Sequence, residues 1–145
     1  MKIIKKPAFL FLIILLIFFA CNKTPTSPTL PIPPKPKANV SIAITVDPFL
    51  YVYNSIYNYY WSAFNVILNE HNNVQVNVTM VKLEFKNQGY IIGTNTYSGG
   101  ILPANGSLLV HCTPVWYHHA NIMKITATGM DVNGYSINVS GKWKL

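Results

Sequence analysis

From Val40 onward the chain alternates apolar and polar positions with a period of two. VSIAITV sets Val40, Ile42, Ile44 and Val46 on one face and Ser41, Ala43 and Thr45 on the other. In SAFNVIL, Phe64, Val66 and Leu68 share a face. Successive side chains on a strand point to opposite sides, so the pattern predicts strands buried on one side. VQVNVTMVKLEF begins with Val74, Val76 and Val78, then changes phase to Val81, Leu83 and Phe85. A phase change inside a long strand predicts a bulge or bend, since a one-residue slip moves the apolar set to the other face.

SLLVHCTP, IMKITATGMD and YSINVSGKWKL complete the series. Asn72-Asn73, Gly99-Gly100, Pro103-Ala104-Asn105-Gly106 and Asn133-Gly134 read as the turns between runs. Asn-Gly flanked by alternating runs is the strongest short hairpin signal. Asp131 stands where it would start that turn. Residues 54–63, NSIYNYYWSA, have room for one turn of helix, and no longer amphipathic helical window is present. About seven strands in residues 40–145 predict an all-β fold, an antiparallel two-sheet sandwich. FNVILNEHNNVQVNVTMVKLEF also resembles the paired strands of immunoglobulin-like modules in bacterial surface lipoproteins.

The N-terminal 39 residues follow other rules. Lys2, Lys5 and Lys6 precede Ala8–Ala20, 13 residues of unbroken apolar sequence. A membrane-spanning helix needs about 20 such residues, whereas 13 fits the centre of a secretory signal. The run ends in Phe18-Phe19-Ala20-Cys21, which resembles the cleavage region of bacterial lipoprotein precursors. In that family a small residue precedes a cysteine whose sulfur receives diacylglycerol, and the signal is then removed. Ala20 and Cys21 match; Phe18 and Phe19 depart from the family's Leu and small residue. The resemblance implies lipidation at Cys21, a membrane anchor and a site in the cell envelope, with Asn22 permitting the outer membrane. Residues 22–39, NKTPTSPTLPIPPKPKAN, hold six of the ten prolines and no aromatic residue. Such a segment reads as an extended linker reaching on the order of 50 Å. The chain thus divides into a leader, 1–21, a Pro-rich linker, 22–39, and a sandwich domain, 40–145.

The formal charge of +7 changes meaning once it is divided along the chain. The leader and the linker carry +3 each, and residues 40–145 carry a net +1. No arginine occurs, which removes the bidentate reader of phosphate and guanine and argues against nucleic acid as a partner. The linker lysines favour an anionic lipid surface. With Cys21 acylated, Cys112 has no cysteine partner, so the apolar core must hold the domain.

Two stretches carry candidate chemistry. FLYVYNSIYNYYW, residues 49–61, has seven aromatics in 13 positions, and Trp116-Tyr117 add a pair. Such rings either fill the core, as read for Tyr51, Tyr53 and Trp61, or form a platform for a protein or glycan partner. The platform candidates are Tyr57, Tyr59 and Tyr60, where strand alternation breaks down, with Trp116 and Tyr117. HCTPVWYHHANIM, residues 111–123, offers Cys112, His118, His119 and Met123. These resemble the copper ligand loop of cupredoxins, a resemblance that implies a further histidine from earlier in the chain, the place of His71. The five residues between Cys112 and His118, and the hairpin after Met123, depart from that family. The alternative is a buried cysteine acting as a small hydrophobe. No paired carboxylates, nucleophile elbow, zinc-helix motif or phosphate-cradling glycine loop is present, so no enzyme activity and no cofactor are expected.

Overall fold

The computed structural model of the chain describes residues 32–45 and 51–145. The leader, Cys21 and most of the linker, together with Val46 and Phe49, lie outside the described residues. Lys35–Leu145 form one compact unit. Its strands are β1 (Val40–Ile44), β2 (Val52–Asn54), β3 (Tyr59–Trp61), β4 (Phe64–Glu70), β5 (Val76–Asn87), β6 (Tyr90–Leu102), β7 (Ser107–Cys112), β8 (Val115–Trp116), β9 (Ile122–Asp131) and β10 (Ser136–Lys144). The unit is all-β and every strand pairing is antiparallel. Among the described residues there are ten strands in three sheets, where the sequence pattern predicted about seven in two. The extra sheet comes from short aromatic strands that alternation over longer runs does not register.

A three-stranded sheet, β1-β4-β7, and a four-stranded sheet, β10-β9-β5-β6, contribute to one apolar cluster. Phe64, Val66 and Leu68 of β4 and Val110 and Cys112 of β7 enter it from one side. Val76, Val78, Val81, Leu83 and Phe85 of β5 and Met123, Ile125 and Ala127 of β9 enter from the other. Fully burying an aliphatic or aromatic side chain contributes about 1.5–3 kcal/mol, so these rows are the main source of stability. The stretch read as one strand pair is split: β4 and β5 lie in different sheets.

The predicted phase change is a bulge. Against β9, the register of β5 shifts between Val78 and Met80, leaving Thr79 as the extra residue. Its hydroxyl donates to the Thr128 carbonyl at 3.0 Å. Gly99-Gly100, expected to be a turn, lies inside β6 beside that bulge. A Cβ at Gly99 would run into the Val78 carbonyl, so the glycine marks a close approach of two backbones. The turn that links β5 to β6 is Gln88-Gly89, with φ of 48° and 89°. Positive φ at both central residues is the two-residue hairpin geometry that matches strand twist.

Two buried carboxylates tie the turns at one end. Glu70 accepts backbone N–H bonds from Asn39, Asn72, Val74 and Asn105 at 2.8–3.2 Å. Burial raises its pKa, but these four donors prevail and hold it at about 2. Asp131 starts the Asn133-Gly134 turn as expected, accepting from Asn133 and Tyr135, both at 2.9 Å. Its other oxygen accepts from the Ala38 amide at 3.1 Å. Burial opposes ionisation there too, yet the backbone donors lower the pKa. Lys35, Pro36 and Lys37, assigned to the linker by composition, are docked on the domain. Their carbonyls accept from Tyr135, Asn133 and Asn72. A proline-rich segment has unpaired carbonyls to offer, and the turn side chains use them.

Candidate functional site

Residues 54–59 form a tight hairpin between β2 and β3, where one turn of helix was expected. The Asn54 side chain accepts from the Ile56 and Tyr57 amides at 3.1 and 3.2 Å. Asn58 takes positive φ, 54°, and its side chain accepts from the Tyr53 hydroxyl at 2.8 Å. Asparagine supports both features, since its short amide mimics a turn and tolerates the left-handed region.

The hairpin and β8 make the third sheet, in the order β2-β3-β8. Cross-strand register sorts its side chains into two rows. Tyr53, Tyr60 and Trp116 are partners, as are Val52, Trp61 and Val115. At Trp116 and Tyr60 the first row faces the core, while Tyr53, also read as a core filler, lies at its outer end and is 48 % exposed. Trp116 is 1 % exposed and stacks on Phe85 with ring centroids 4.1 Å apart. Tyr60 stacks on Trp116 at 5.8 Å, and Tyr53 meets Tyr60 at 4.9 Å. Tyr51 closes edge-on against Tyr60 and Trp116. A Cβ at Gly93 would lie 2.9 Å from the Trp116 Cβ, so the missing side chain on β6 is what lets the indole settle. Asn95 joins β8 to β6 by accepting from the Val115 amide and donating to its carbonyl.

The second row is exposed: Val52 at 53 %, Trp61 at 40 % and Val115 at 39 %. Tyr57 at 70 % and Tyr117 at 63 % flank it. Tyr59 is half-buried and stacks on Tyr57 at 6.3 Å. Of the predicted platform residues, Tyr57 and Tyr117 are outward, Tyr59 lies at the rim, and Tyr60 and Trp116 face inward. Trp61, read as a core filler, is outward, because a strand places Tyr60 and Trp61 on opposite sides. The result is an aromatic and apolar face whose position is fixed by a stacked row running to the core.

The Cys/His/Met set is not assembled. Cys112 and Met123 are fully buried, whereas His118 and His119 are exposed. Burial pushes the Cys112 thiol up to about 11. His119 lies edge-on to Tyr60. Cys112 pairs with Phe64 at one end of β4, and His71 follows the other end, roughly 20 Å away along the strand. His71 instead shares a 2.8 Å hydrogen bond with Ser41. Among the described residues no three His, Cys, Asp or Glu side chains come close enough to hold a metal. Strand β8 takes Trp116 inward and leaves the histidines beyond it outside.

No family model and no curated protein matches the chain. Solved structures share its fold. The putative ApaA protein of Bordetella pertussis has a TM-score of 0.50 and 14 % identity, over 75 % of this chain and 92 % of that one. The X-ray structure of a Northeast Structural Genomics Consortium target has a TM-score of 0.50 and 10 % identity, over 74 % and 86 %. At these identities the likeness is one of architecture alone.

Proposed function

We propose that this chain is a lipid-anchored lipoprotein of the bacterial cell envelope, with a non-enzymatic immunoglobulin-like β-sandwich that binds a protein or glycan partner. The outward row Val52–Trp61–Val115, with Tyr57 and Tyr117, carries the binding reading. Large rigid rings bury much area at little entropic cost, and here the stacked row beneath pre-orders them. The immunoglobulin-like reading rests on strand order. With the small sheet set aside, β1-β4-β7 and β10-β9-β5-β6 correspond to the A-B-E and G-F-C-C′ sheets of that architecture, short of strand D. The anchor reading rests on Lys2, Lys5, Lys6, the apolar run and Ala20-Cys21. The linker gives the domain its reach, in the periplasm or at the outer surface.

The test of the binding reading is a titration of the full chain with purified envelope polysaccharides and proteins, read by isothermal calorimetry. The expected result is a saturable change that Trp61→Ala with Tyr57→Ala abolishes while circular dichroism stays the same. Binding that survives in that variant would refute the face. For the anchor, Cys21→Ala is expected to stop incorporation of labelled palmitate; normal labelling would end that reading.

A further inference from the structure

The charges of the domain are arranged unlike an ordinary soluble surface. All three described acids, Glu70, Glu84 and Asp131, are buried. The charged side chains left at the surface among the described residues are therefore lysines, with Lys142 and Lys144 exposed and Lys82, Lys86 and Lys124 half-buried. Register gathers five of these lysines on the outer face of the four-stranded sheet. One row across the sheet is Thr96, Lys82, Thr126 and Ser140. The next is Thr94, Glu84, Lys124 and Lys142, and the third is Ile91, Lys86, Ile122 and Lys144. Alternation confirms the face, since Val81, Leu83, Phe85, Met123 and Ile125 point the other way into the core.

Glu84 pairs with Lys82 at 2.8 Å and lies 4.0 Å from Lys86. Among the described residues no ion pair engages Lys124, Lys142 or Lys144. Lys124 and Lys142 are direct cross-strand partners. Like charges in that position work against the sheet, and Glu84, opposite Lys124 on its other side, offsets only part of this. In the third row Ile91 is 52 % exposed, whereas its strand neighbour Tyr90 points to the other side of the sheet.

We propose that this lysine face, with Ile91 at its edge, is a docking surface for the anionic headgroups of a phospholipid bilayer. Ladder spacing spreads the ammonium groups over roughly 10–15 Å of sheet instead of converging them on one point. That suits a plane of many phosphates better than a single small anion. Lysine is a compact charge with freely rotating donors and makes no fork with one phosphate. An exposed aliphatic side chain next to basic ones suits an interfacial contact. Nucleic acid is disfavoured because no ring on this face is placed to stack a base. The aromatic face of the small sheet lies across the core, so docking by the lysines leaves it presented outward. The inference does not depend on acylation at Cys21.

The experiment is co-sedimentation of the full chain with phosphatidylcholine vesicles and with vesicles containing about 30 % phosphatidylglycerol. Phosphatidylcholine alone reads attachment through the N-terminal apolar segment. Each lysine near an anionic surface contributes a factor of about five, so Lys124→Gln, Lys142→Gln and Lys144→Gln together should lower the anionic preference on the order of 100-fold. Binding to phosphatidylcholine should not change. Ile91→Ser, at the edge of the face, should lower the anionic preference while leaving every lysine in place. An anionic preference that persists in the triple variant would assign it to the N-terminal lysines and overturn the proposal. A wild-type preference insensitive to about 0.5 M salt would do the same. So would duplex DNA, at equal phosphate concentration, displacing the protein from vesicles.

Discussion

Glu70→Gln tests how the turns at one end of the domain are held. The carboxylate takes four backbone N–H bonds and moves from its ordinary 4.5 to about 2. A folded-state pKa below the unfolded one stabilises the fold above the unfolded value, and that contribution is lost as pH falls toward the folded value. The shift corresponds to about 3 kcal/mol at pH 7 as an upper figure, and about 2 after allowing for solvent near the loop. About half of it should disappear between pH 5 and pH 3. Asp131 contributes with the same sign. Glutamine keeps one accepting oxygen but points an amide N–H₂ at donors, so the cost at pH 7 is expected at about 2–3 kcal/mol. For a domain of this size that lowers Tm by roughly 10–20 °C. Urea unfolding of parent and variant at pH 7, 5 and 3 measures both effects. The curves should converge as the pH falls. Equal stability at pH 7, or parallel losses between pH 5 and 3, would show that the carboxylate does not hold these amides.

The two tryptophans of the small sheet should behave oppositely. Trp116→Ala removes the indole stacked between Phe85 and Tyr60 and should cost about 3–5 kcal/mol by chemical denaturation; Trp61→Ala, on the outward side, should cost under about 1 kcal/mol. Cys112 should react with a thiol reagent only at the rate of unfolding, because its sulfur is buried and burial holds the thiol protonated. Fast labelling of Cys112 in the folded Cys21→Ala chain at pH 8 would contradict that. Added Cu²⁺ should leave the reactivity of Cys112 unchanged in the folded chain, and copper-dependent protection would revive a metal site there. Lys142→Gln should raise stability by a few tenths of a kcal/mol at low salt by removing the charge opposite Lys124; a loss of stability would mean that Lys142 has a stabilising partner.

The sequence by itself determined the longer strands and their inward faces. Period-two burial is a local property, so Phe64, Val66 and Leu68 could be read directly, as could the bulge between Val78 and Val81 and the Asn133-Gly134 turn. What the local pattern could not determine is which strands become neighbours. Gly99-Gly100 looks like a turn until the Val78 backbone is seen crossing beside it. Tyr60 reads as outward and Trp61 as core until Trp116, 56 positions after Tyr60, takes Tyr60 as its stacking partner. Lys82, Lys86, Lys124, Lys142 and Lys144 look like scattered surface charge until three strands align them. Side-chain direction follows from the two-fold repeat of a single strand, whereas shared faces follow from register between strands. Register is decided by long-range packing, so the aromatic and basic faces exist only in the folded chain.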